Sequence, residues 1–89
     1  MAAAEHFLAE ELERLMLLPL QSGEALRVWQ AESQSLQRKL QREYLGLSVP
    51  EVVWHYLADA DIRAKDSESE YRARQEAEMR KVIDALRRS

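Results

Sequence analysis

Apolar positions recur along this chain at the spacing of helices, in four stretches separated by polar breaks. In the first, about residues 3–18, Leu8, Leu12 and Leu15 follow at intervals of four and three, which lines one face of an α-helix. Phe7 and Met16 widen that face. Pro19 stops it, because proline lacks the N–H and the room to continue a helix. The second stretch, about 22–45, opens on Ser22 as an N-cap and carries Leu26, Trp29, Leu36, Leu40, Tyr44 and Leu47 on one side. Such a helix is about 33 Å long. Ser33 interrupts its stripe: a small residue there admits a close neighbour, and its hydroxyl can bond the carbonyl four residues earlier. Gly46 reads as the stop.

The third stretch, about 49–65, has the clearest start. Ser48 and Glu51 have the spacing of a capping box, Pro50 falls in the first turn, and Leu47 can meet Val52 as a hydrophobic staple. Its core face is expected to be Val53, Tyr56, Leu57, Ala60 and Ala64. Trp54 and Ile62 fall off that face, and Val28 is similarly displaced on the second stretch. The fourth stretch, about 67–87, starts at Asp66 or Ser67, with Ser67 and Glu70 again spaced as a capping box. Tyr71, Gln75, Met79, Val82, Ile83 and Leu86 form its stripe. No glycine or proline separates the third stretch from the fourth, so one bent helix is also open. The expected fold is all-α, a small antiparallel bundle of three to four helices in a single domain, 1–89.

The polar positions repeat one grammar, an acid four residues before a base, the favoured order on a helix. Asp59–Arg63, Asp61–Lys65, Glu68–Arg72, Glu70–Arg74, Glu76–Arg80, Asp84–Arg88 and Glu10–Arg14 all have it. The densest run, "WHYLADADIRAKD" at 54–66, therefore reads first as a helix with solvated, paired sides. Each such pair is worth only about 0.3–0.5 kcal/mol.

Composition narrows the function. Two glycines and two prolines are too few for a many-turned β fold. The absence of cysteine removes disulfides, thiolate metal sites and thiol nucleophiles. A net charge of −3, from 16 acids and 13 bases, does not point to nucleic acid or an anionic membrane. No apolar run approaches the roughly 18 residues of a membrane span, and the first twenty residues resemble neither a secretory signal nor a transit peptide. A cytoplasmic protein is expected, and the wealth of Ala, Arg, Leu and Glu suits a bacterial source.

Candidate chemistry is thin. Asp59, Asp61 and Glu70 match three ligand positions of a calcium-binding loop, but Arg63 stands where a further ligand belongs and Ala64 where the turn needs glycine. His6 with Glu10, and Glu51 with His55, could each give two metal ligands, and two do not make a site. His55 beside Glu51 or Asp59 forms an acid–base pair only if a cleft encloses it. His55, Tyr56, Asp59 and Arg63 are the weak ligand-site candidates. The last segment carries Arg72, Arg74, Arg80, Lys81, Arg87 and Arg88, spread around its surface rather than in one stripe, and no tight helix-turn-helix accompanies them.

The displaced apolar residues Trp54, Ile62 and Val28 are the interface candidates, since tryptophan anchors interfaces when it is not core. The expectation is a non-catalytic helical interaction module without cofactor, pairing with itself as a dimer or with another protein. The alternatives are a small nucleic-acid-binding regulator and a ligand-binding or enzymatic bundle around His55 and Asp59.

Overall fold

The computed structural model describes residues 3–65 and 70–88. Among them are α1 (Ala3–Leu17), α2 (Gly23–Glu43), α3 (Glu51–Ala58), α4 (Ala60–Lys65) and α5 (Glu70–Arg87). The expected start of α2 and stop of α1 hold. Ser22 adopts an extended backbone and its hydroxyl accepts from the Ala25 N–H at 3.0 Å, satisfying one of the orphan donors of α2. α1 ends at Leu17, two residues before Pro19.

Long-range contacts give the topology. Phe7 stacks on Tyr44 at 4.8 Å and Arg14 pairs with Glu32, so α1 and α2 run antiparallel. Ser33 reaches Leu57, and Trp29 meets Tyr56 and Arg63, which sets α3 and α4 antiparallel to α2. Asp59 meets Tyr71 and Gln75 on α5. His6 and Glu10 of α1 lie beside Arg87, whereas Met16 and Leu17 lie beside Glu76 and Arg80, so α5 is antiparallel to α1 and closes the ring. The result is an up-down-up-down bundle in which α3 and α4 share one stave and the α1–α5 contact is the most extensive.

The core collects the predicted stripes: Leu8, Leu12 and Leu15; Trp29, Leu36 and Leu40; Val53, Tyr56, Leu57 and Ala60; Met79, Ile83 and Leu86. Ser33 is buried with them, as the close approach of a neighbour requires. Its hydroxyl does not bond back along α2, however. It donates across to the Leu57 carbonyl at 3.0 Å.

Several expectations fail. Ser48 does not cap α3: Pro50 occupies the cap position with no side-chain bond, and the helix begins at Glu51. Leu47 packs on the core but Val52 stands exposed. Gly46 is not a left-handed cap. α2 already ends at Glu43, with Tyr44 as its cap, and Gly46 sits in the turn closed by the Leu47 N–H on the Tyr44 carbonyl. Ala64 is exposed and Arg63 takes the core position, because the third stretch is not one helix but breaks at Asp59 and changes phase. The ion-pair grammar also fails among the described residues. Arg14 takes Glu11 and Glu32 rather than Glu10, and Glu76 takes Arg72 rather than Arg80. The start at Asp66 or Ser67, the Ser67 capping box and the Glu68–Arg72 pair lie outside the described residues.

Candidate functional site

The break at Asp59 organises the most unusual chemistry in the molecule. Asp59 has φ −100° and ψ 20°, off the helical values. Its own N–H still reaches the His55 carbonyl, and its carbonyl still accepts from the Arg63 N–H. Between those two bonds the helical ladder lapses. The carbonyls of Tyr56 and Leu57 lose their usual donors, the N–H groups of Ala60 and Asp61. Both residues are buried, and a buried carbonyl without a donor is costly. Two side chains supply the donors: Ser33 for Leu57, and Arg63, whose Nη1 donates to the Tyr56 carbonyl at 2.7 Å.

Arg63 is 2% exposed, a cation inside a small core. Three features make that tolerable. It lies at the C-terminal end of α3, where the helix dipole favours positive charge. Its guanidinium carbon stands 3.9 Å from the Tyr56 ring centre and 4.8 Å from that of Trp29, so two π faces replace part of its hydration. Its Nη1 also donates to Gln75 Oε1 at 2.6 Å. Burial pushes the Arg63 pKa below its ordinary value, and the same burial raises that of the Tyr56 hydroxyl to about 12. Nε and Nη2 of Arg63 have no hydrogen-bond partner among the described residues.

Gln75 joins this cation to an anion. Its Nε2 donates to Asp59 Oδ2 at 3.1 Å and to the Tyr71 hydroxyl at 3.1 Å, while Tyr71 donates to the same Asp59 oxygen at 2.6 Å. The bond to Asp59 raises the Tyr71 pKa, since losing that proton would place two anions together. The expected direct Asp59–Arg63 pair is thus replaced by an amide bridge to α5.

The four ligand-site candidates divide into two groups. Tyr56 and Arg63 are core, whereas His55 and Asp59 border a shallow groove of about 260 Å³ with Tyr71 and Gln75. His55 is turned outward, 65% exposed in its side chain and 3.6 Å from Glu51. The Asp59 carboxylate bonds to Tyr71 and Gln75 on α5 and, among the described residues, makes no side-chain hydrogen bond to His55. No group of three or more metal-type ligands converges among the described residues. The cluster therefore works as a clamp that holds the α3–α4 elbow against α5.

The interface candidates also separate. Trp54 is partly buried against the core, while Ile62 and Val28 are 49% and 51% exposed. Residues missed in the sequence are Leu17 and Leu45, 86% and 81% exposed, and the polar pair Tyr71 and Gln75. The last two carried a signal: polar ends set in an apolar stripe need partners. Of the six bases of the last segment, Arg72 and Arg87 are engaged by Glu76 and Glu13. No helix among the described residues is long and apolar enough to cross a membrane. No family model matches the chain, and no curated protein or solved structure is significantly similar to it.

Proposed function

We propose that this protein is a non-catalytic helical interaction module that associates with itself. The observation that carries the reading is Leu17, which closes α1 with 86% of its surface exposed although Leu8, Leu12 and Leu15 of the same helix are fully buried. Val28 and Ile62 add half-exposed apolar surface on α2 and α4, two helices that pack together. Single exposed apolar residues are ordinary, but several large aliphatic side chains left exposed on so small a bundle favour a covering partner. Self-association also gives a short chain without disulfides a larger core. The polar cluster around Asp59 supports the same reading, because the Asp59, Tyr71 and Gln75 side chains bond to one another and to Arg63.

Sedimentation equilibrium at several protein concentrations tests this. The expected result is a reversible monomer–dimer equilibrium with unchanged helicity. A single monomer mass at every concentration would overturn the proposal.

A further inference from the structure

Building on that reading, we propose that the groove between α1 and α5 is the surface through which two copies of this chain pair about a two-fold axis. Glu13, Met16 and Leu17 line one wall and Arg80, Ile83 and Asp84 the other. Leu17 stands exposed at its mouth, Met16 is half-buried and Ile83 belongs to the core, so the groove has an apolar floor with a protruding apolar residue beside it.

The charges select the occupant. Glu13 is paired with Arg87, and Glu76 at the edge of the groove is paired with Arg72. Arg80 and Asp84 are exposed, and neither makes an ion pair among the described residues. They stand four apart on α5 with the base first, the less favourable order for pairing within a helix. A two-fold axis crossing α5 between them would bring Arg80 of each copy to Asp84 of the other, making two equivalent ion pairs at once. One cation and one anion, free and one turn apart, form a self-complementary pattern, as an isologous interface requires. The same axis carries each Leu17 toward the apolar floor opposite.

The test uses sedimentation equilibrium of the full chain, with helicity checked by circular dichroism. Leu17→Glu, Arg80→Asp and Asp84→Arg should each weaken the dimer by about tenfold or more while leaving the fold intact. An equimolar mixture of Arg80→Asp and Asp84→Arg should recover a one-to-one heterodimer near wild-type strength, because both crossed pairs become attractive again. A wild-type dimer indifferent to all three substitutions would overturn this surface and leave self-association standing. Weakened variants without recovery in the mixture would overturn the reciprocal pairing. A monomeric wild type would overturn both this surface and the module reading.

Discussion

Arg63 shows how much a single side chain can be asked to do. It donates to a carbonyl that the helix break would otherwise strand, it holds one end of the Gln75 amide, and it lies against two aromatic rings. Lysine at this position would keep the charge but lose the planar fork and the stacking. Hydrogen bonds to charged groups contribute about 1.5–3 kcal/mol each, so Arg63→Lys should destabilise the fold by about 2 kcal/mol, measured as a lower midpoint in urea unfolding. Unchanged stability would mean that positive charge at the end of α3 is all the site requires. In the sequence, Arg63 looked like the base of an exposed pair with Asp59. That inference depended on an unbroken helix, and no residue near Asp59 announces the break.

The elements were legible in proportion to how local their causes are. The stripes of α1, α2 and α5 are written in hydrophobic spacing, and Ser22 caps α2 with its own hydroxyl. The geometry of the third stretch is set from outside, so its break is not written in its own spacing. Ser33 on α2 supplies the donor for Leu57, and Gln75 on α5 holds both Asp59 and Arg63. Side-chain ion pairs were predicted by spacing alone, and tertiary neighbours such as Glu32 and Glu13 redirected them. If Ser33 supports the elbow, Ser33→Ala should leave the buried Leu57 carbonyl without a donor and cost about 1–2 kcal/mol, seen as a drop in the urea midpoint. An unmoved midpoint would show that the elbow needs no support from α2.

At the scale of the molecule, four antiparallel staves close into a ring in which the first and last described helices make the largest contact. Leu17 and the groove beside it lie along that seam, so the proposed pairing would draw on the same two helices that close the ring. The elbow sits in another stave, held to α5 through Tyr71 and Gln75, and its consequence is kinetic. Helices usually lose their amide protons to solvent from the ends inward, because the ends are where bonding lapses. Here the lapse is internal: the amides of Ala60, Asp61 and Ile62 have no backbone acceptor among the described residues, although α3 and α4 continue on either side. Their deuterium uptake should outpace that of Val53 to Leu57, and the six residues of α4 should open as one unit before the rest of the bundle. The bundle would then carry its weakest rung partway along a stave, and α4 would detach while the contact between α1 and α5 stays shut.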